Sequence, residues 1–392
     1  MEYVLYLASA AVSALTNAAG LGRRGGARSF LVVKLDHLGD VVTATPVLRA
    51  LRAAHPGAPI DALVGSWAAP LLEGNPFVSR VLTYDAPRFL RPGSAAGDAS
   101  PGAKSRARRA APAPSSSLAR LREVARGSYT DIVELRGDAW TLLLPLLCGA
   151  HRRVDRGTTR TAMWLRRHGL LGGGRDEPAH EVATNLAVVR PLLGDRAGTG
   201  APEVVVTDAE RERLRQRLAS EGIDLARPTI CMHPGAYWRP RAWRVERWAS
   251  LADRLEERYP VQTLFLGGAN EGDLEAALRV RSPGRRHHYL FGTLSLREVC
   301  VLLDRAALVI GNDSGLIHIA AACGTPVIGL YGPQLPSRFG PGSARSIALH
   351  HEIECCPCSQ RICVRPEDPC VNLITVEEVL AAAGPILREV AP

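Results

Sequence analysis

Short runs of branched apolar residues recur along this chain. Each is closed by a polar, glycine-bearing turn and followed by a stretch that reads as helix. Phe30–Leu35 leads through Asp36–Asp40 into Val41–His55. Thr229–Met232 leads through His233-Pro234-Gly235 towards Val245–Arg258. Ala306–Ile310 leads through Gly311-Asn312-Asp313-Ser314-Gly315 into the small apolar run Ile319–Cys323. Strand and helix in alternation are the mark of a parallel sheet with crossover helices. Further strands are expected at Ile60–Val64, Val78–Tyr84, Tyr129–Leu135, Thr263–Leu266 and Pro326–Leu330. Further helices are expected at Trp67–Leu72, Trp140–Cys148, Asp208–Glu221, Glu271–Arg279 and Ser295–Asp304. A chain of 392 residues is long enough for two such cores. Arg196–Pro202 reads as the linker, giving an N-terminal domain over 29–200 and a C-terminal domain over 201–392. In a fold of this class ligands bind at the carboxyl ends of the strands.

Two segments stand outside that pattern. Residues 3–21 carry no charge and are followed by Arg23, Arg24 and Arg28. Positive charge after the apolar stretch is the wrong order for a signal peptide. Ser9, Ser13, Thr16 and Asn17 make it a poor spanning helix. The leader 1–28 suits either a helix lying on an anionic membrane surface or one packed on the protein body. Residues 87–117 are rich in Pro, Ser, Ala, Gly and Arg, with the basic knot Lys104–Arg109, and read as a flexible insertion.

The formal net charge of +9 points to an acidic partner: a phosphorylated ligand, an anionic membrane or nucleic acid. Aromatic residues are only 5%, too few for the stacking platforms of single-strand binding, so nucleic acid is not the expected partner. No Gly-x-Gly-x-x-Gly follows the first strand, which argues against a nicotinamide dehydrogenase. Nine cysteines are an odd number without the spacing of a secreted scaffold, so a reducing cytoplasm is expected. Cys148, Cys231, Cys300 and Cys323 lie in apolar runs and read as buried thiols. Cys355, Cys356, Cys358, Cys363 and Cys370 cluster within 355–370. They are numerous enough for zinc, but their spacing is not a paired Cys-x-x-Cys array. The expectation is reduced structural thiols, with no metal ligand and no cofactor.

Four turns carry the candidate chemistry. In the first, Asp40 sits at the mouth of a helix, where a carboxylate either caps the helix or serves as a general base, and Asp36 competes for that role. In the second, His233 and Gly235 close a strand ahead of Arg239, Arg241, Trp243 and Arg244. Guanidiniums there suit a diphosphate, which takes bidentate donors. In the third, Gly267-Gly268 permits close approach of backbone to a ligand, and Glu271 suits a ribose or base, or merely starts a helix. The fourth sets Asp313, Ser314, Gly315 and His318 at a helix start, where free N–H groups receive an anionic phosphate.

Taken in order, these residues resemble one family. The marks are Lys34…Leu38-Gly39-Asp40-Val41…Thr45-Pro46 and His233-Pro234-Gly235-Ala236…Trp243…Glu246-Arg247-Trp248. To these add Asn312-Asp313-Ser314-Gly315…His318, Gly324-Thr325-Pro326-Val327, Tyr331-Gly332-Pro333 and Cys355-x-Pro357-Cys358…Cys363…Cys370. The chain resembles the ADP-heptose:lipopolysaccharide heptosyltransferases, glycosyltransferase family nine, from Phe30 to about Val379. The resemblance implies an α/β fold of GT-B architecture, two Rossmann-like domains facing across a cleft. It implies an inverting, metal-independent transfer of heptose from ADP-heptose to a lipopolysaccharide-core or related anionic glycolipid. The acceptor lies on the N-terminal side and the nucleotide-sugar on the C-terminal side. By that resemblance Asp40 is the general base. Arg241 stands where the family usually has lysine, and Arg244 where it usually has proline. Ser314 stands where threonine is usual. His233, Gly235, Glu271, Asp313, Ser314, Gly315 and His318 fall to donor binding. The expected place is the cytoplasm; the leader is not part of the family core, and contact with the inner-membrane surface is one of its two readings. Two alternatives stay open: a transferase of the same fold using another nucleotide-sugar, and a non-catalytic, membrane-associated nucleotide- or glycan-binding protein.

Overall fold

The computed structural model describes residues 27–85, 129–136, 150–157 and 180–390, except 286 and 361, with a few isolated positions besides. The apolar part of the leader, the insertion 87–117 and most of Trp140–Cys148 lie outside the described residues. Among the described residues no helix is long and apolar enough to cross a membrane. The chain divides into two compact units, Met1–Gly200 and Ala201–Pro392.

The first unit is built on a parallel five-stranded sheet in the order β3-β2-β1-β4-β5. Its strands are β1 (Phe30–Lys34), β2 (Ile60–Val64), β3 (Arg80–Thr83), β4 (Asp131–Glu134) and β5 (Arg152–Asp155). β1, β2 and β4 are buried along their whole length; β1 reads accordingly as an apolar run, while β4 buries the charged Asp131 and Glu134 at its ends. The helix Leu38–Ala54 follows β1 and carries Pro46 in its interior. A proline there leaves the carbonyl four residues back without its N–H partner. The Thr45 hydroxyl donates to that carbonyl, Val42 O, at 2.8 Å, so the helix runs on. The expected helix Trp67–Leu72 is instead one 3-10 turn, Ala69–Leu72, opened by Pro70. Trp67 is occupied otherwise, donating its indole N–H to Asp36 O at 3.0 Å.

The second unit holds a parallel six-stranded sheet in the order β11-β10-β9-β6-β7-β8. Its strands are β6 (Thr229–His233), β7 (Gln262–Gly267), β8 (His288–Phe291), β9 (Leu308–Asn312), β10 (Val327–Tyr331) and β11 (Ser346–His350). The helices Asp208–Ser220 and Leu296–Arg305 each start with a capping box, Thr207 with Glu210 and Ser295 with Glu298. The core gathers Ile230, Met232, Phe265, Ile310 and Leu330 from the strands. Trp243, Trp248, Leu251 and Leu255 join them, as do Val379, Leu380 and Leu387 from the C-terminal helix Val376–Val390. Trp243 and Trp248 meet edge to face with centroids 5.1 Å apart. Cys148, Cys231 and Cys300 are buried as expected, whereas Cys323 is only partly so, since it closes the helix Gly315–Ala322 at its outer end. Burial pushes the Cys231 thiol up to about 12, so it stays protonated.

Each sheet is wound from a middle strand outwards in both directions. The reversals fall between β1 and β4 in the first unit and between β6 and β9 in the second. A crevice opens at the carboxyl ends of the strands at such a point, and ligands bind there.

Candidate active site

At the first reversal the ends of β1 and β4 bring together a buried ionic group. Lys34 is 3% exposed. Its ammonium donates to Leu135 O at 3.1 Å and pairs with Asp36 at 3.0 Å. Asp36 is paired a second time by Arg136. Burial lowers the Lys34 pKa to about 8, partly offset by the charge of Asp40. Asp40 itself sits in the first turn of the helix Leu38–Ala54. Among the described residues nothing hydrogen-bonds or pairs with its carboxylate, and only its backbone carbonyl is engaged, by the Thr43 hydroxyl at 2.9 Å. The two aspartates that compete for the base are thereby separated: Asp36 is consumed by two cations, and Asp40 keeps its lone pairs. The turn bearing Asp40 is held by Asn185, whose amide donates to Thr43 O at 3.1 Å. Asn185 lies on the helix Glu181–Leu193, which is anchored in turn by Glu181 against Arg156 at 2.5 Å.

At the second reversal two loops meet around Asn312, the fully buried last residue of β9. Its side-chain amide donates to Pro234 O at 2.7 Å and its oxygen accepts from Trp243 N at 3.2 Å. One side chain thus fixes both ends of the single loop that joins β6 to the helix Val245–Arg258. Ser314 is extended and precedes the helix Gly315–Ala322 without capping it. Its hydroxyl is buried and, among the described residues, without a hydrogen-bond partner. Beside it Arg241 pairs with Asp313 through Nη1 at 3.0 Å. The expected group of guanidiniums is not assembled: Arg244 turns away to Asp368 at 2.9 Å and Arg239 is exposed. Among the described residues Arg241 alone of these guanidiniums reaches the turn. Gly315 and His318 lie half-buried within the first turn of the helix. The N–H groups of such a turn, a free hydroxyl and a guanidinium together make an anion site.

His233 and Glu271 close the same end of the sheet. His233 donates from Nδ1 to Leu266 O at 3.0 Å, which leaves Nε2 as an acceptor. Burial lowers its pKa, so the ring is neutral. Glu271 accepts from Gly268 N at 2.6 Å, so it does shape the turn that starts the next helix. Its other oxygen leans over Gly235: a Cβ there would come within 2.2 Å of it and within 2.9 Å of His233. Glycine is required at 235 for that approach. His233, Gly235 and Glu271 therefore form one group, and Asp313, Ser314 and Arg241 another, on the same edge of the sheet. The cysteines of 355–370 are all free thiols. Among the described residues no three His, Cys, Asp or Glu side chains are grouped so as to hold a metal ion.

Sequence reasoning assigned no role to Asn312, Lys34 or Gln360. Asn312 and Lys34 carried a signal, each being a polar residue at the end of an apolar strand run. Gln360 carried none.

The model of glycosyltransferase family 9 (heptosyltransferase) matches residues 121–367. Lipopolysaccharide heptosyltransferase 2 of Escherichia coli K12 is 26% identical over 343 residues, covering 82% of this chain and 88% of that protein. Lipopolysaccharide heptosyltransferase 1 of Pseudomonas aeruginosa is 25% identical over 336 residues, covering 85% and 86%. Among solved structures, a family 9 glycosyl transferase of Veillonella parvula superposes with a TM-score of 0.71 at 23% identity, covering 92% of this chain and 97% of that one. The ADP-heptose lipopolysaccharide heptosyltransferase II of Escherichia coli superposes at 0.67 with 20% identity, covering 92% and 99%.

Proposed function

The chain belongs to glycosyltransferase family 9, the heptosyltransferases, and we propose that it moves a heptose from ADP-heptose to a lipopolysaccharide-core or related anionic glycolipid. The donor is the one named for the solved heptosyltransferase II, and the acceptor class is that named for the relatives. The observation that carries this reading is the turn after β9. A buried hydroxyl that has no partner among the described residues, the start of a helix and one arginine make a cradle for a diphosphate.

Transfer proceeds by inversion at the anomeric carbon. Asp40 takes the proton of an acceptor hydroxyl as its oxygen bonds to that carbon. The bond from the anomeric carbon to the diphosphate breaks, and its electrons stay on the departing ADP. Arg241 and the N–H groups at Gly315 meet the charge that develops there, so no metal ion is needed for that task. Asp313 holds Arg241, and the arginine in turn neutralises a carboxylate that would otherwise repel phosphate. His233 and Glu271 offer a neutral nitrogen and a carboxylate to the hydroxyls and ring nitrogens of the nucleoside or sugar. The site of action is the cytoplasmic face of the inner membrane, where such an acceptor is presented.

Calorimetric titration with ADP, UDP and GDP tests the donor half. ADP should bind most tightly, and Arg241→Met should weaken it. A preference for UDP would move the protein to another nucleotide-sugar, and no binding of any of the three would remove the donor assignment.

A further inference from the structure

We infer that Gln360, in the cysteine-bearing loop, is a positioning residue for Arg241 and thereby for the departing diphosphate, an inference that rests on the donor reading above. Gln360 is 6% exposed and takes φ of +64°, a region a residue with a Cβ enters at a cost of about 1 kcal/mol or more. Its amide oxygen accepts from Arg241 Nε at 2.5 Å. An arginine offers only donors, so the oxygen must be the atom that faces it. Arg241 Nη1 lies 3.0 Å from Asp313 Oδ2 and 3.4 Å from Asp313 O. The guanidinium is thus gripped on two edges, from two different loops, and its plane is set. Among the described residues Nη2 has no acceptor, and it is the edge left for a ligand. A lysine ammonium has no second edge to grip, so the need for an acceptor at 360 comes with the arginine.

The loop that carries Gln360 is itself fastened. The Cys356 thiol donates to Gly332 O at 3.3 Å, and Cys358 N donates to Pro333 O at 3.2 Å. Pro240, next to Arg241, shares a small cavity with Cys355, Cys358 and Cys363. The segment leading into 360 is therefore fastened, and the Gln360 side chain is delivered to Arg241.

The test is a double-mutant cycle. Gln360→Gly removes the acceptor while suiting the positive φ, and Gln360→Glu keeps an acceptor in place. ADP affinity of Gln360→Gly should fall about tenfold, the loss of one hydrogen bond to a charged group. The donor KM should rise more than kcat falls. Gln360→Glu should recover most of the loss. In an Arg241→Met background Gln360→Gly should cost nothing further, because its effect passes through the guanidinium. Equal losses in both backgrounds, or ADP binding within twofold of the native protein, would overturn the inference. Should the native protein not bind ADP, it is the donor reading that fails. The same cycle followed by urea unfolding then still decides the contact: coupled effects uphold it, and additive ones refute it.

Discussion

Replacing the two aspartates after β1, one at a time, should produce opposite phenotypes. Asp36 is 6% exposed and lies between Lys34, at 3.0 Å, and Arg136. Asp36→Asn keeps the shape but leaves two cations without their counter-charge. Breaking a buried pair in this way costs about 3–5 kcal/mol. The lower end applies, because Lys34 still has the Leu135 carbonyl at 3.1 Å. For a unit the size of Met1–Gly200, about 3 kcal/mol lowers the unfolding midpoint by roughly 10 °C. Among the described residues the Asp40 carboxylate has no partner to lose, so Asp40→Asn should leave stability within about 0.5 kcal/mol. Its turnover should fall by about 10²–10⁴, the usual contribution of a positioned base and equivalent to roughly 3–5 kcal/mol of barrier. Thermal unfolding and the rate of ADP release, both measured on each variant, give the comparison. An Asp36→Asn protein that folds normally but cannot turn over, beside an active Asp40→Asn protein, would refute the assignment.

Three further outcomes follow from the second unit. Ser314→Ala removes a buried oxygen with no partner among the described residues, so stability should hold or rise by up to about 1 kcal/mol, while ADP affinity drops about tenfold by calorimetry. Gly235→Ala would drive a Cβ to 2.2 Å from Glu271, forcing that side chain off Gly268 N. The donor KM should rise about tenfold with kcat little changed. His287 is held between Glu256 at 3.0 Å and Asp253 at 2.8 Å. Burial works against its charge, but the two carboxylates outweigh it and raise the pKa. A raised folded-state pKa gives stability that is full below the unfolded value of about 6.5 and is lost as pH rises through the folded value. His287→Gln should therefore cost about 2 kcal/mol near pH 5.5 and progressively less in alkali, as read from urea midpoints.

The α/β fold was legible because the strands that make both sheet centres are short apolar runs closed by glycine turns. β8 and β11 were not, being half-exposed edge strands that contain His288, Ser346 and His350. The C-terminal helix was hidden by Gly384-Pro385, which reads as a break in sequence yet lies within Val376–Val390. At the candidate site, the turn from Asp313 to His318 and the two aspartates were visible as polar residues between apolar runs. Which aspartate is free was not visible, because the cation that takes Asp36 comes partly from Arg136, about a hundred residues on. Arg244, grouped with Arg239 and Arg241 as a guanidinium of the loop after β6, is claimed by Asp368, a partner more than a hundred residues distant in sequence. Gln360 had no signal at all: its importance lies in a loop conformation and a contact more than a hundred residues distant.

The central claim is that this chain transfers heptose from ADP-heptose. Incubating the purified protein with ADP-heptose and a heptose-deficient lipopolysaccharide core, then weighing the acceptor by mass spectrometry, tests it directly. The account predicts an acceptor heavier by one heptose residue and one ADP released per transfer. It further predicts that Asp40→Asn slows both by about 10²–10⁴ while still binding ADP. An unmodified acceptor with ADP-heptose, alongside transfer from a different nucleotide-sugar, would contradict it.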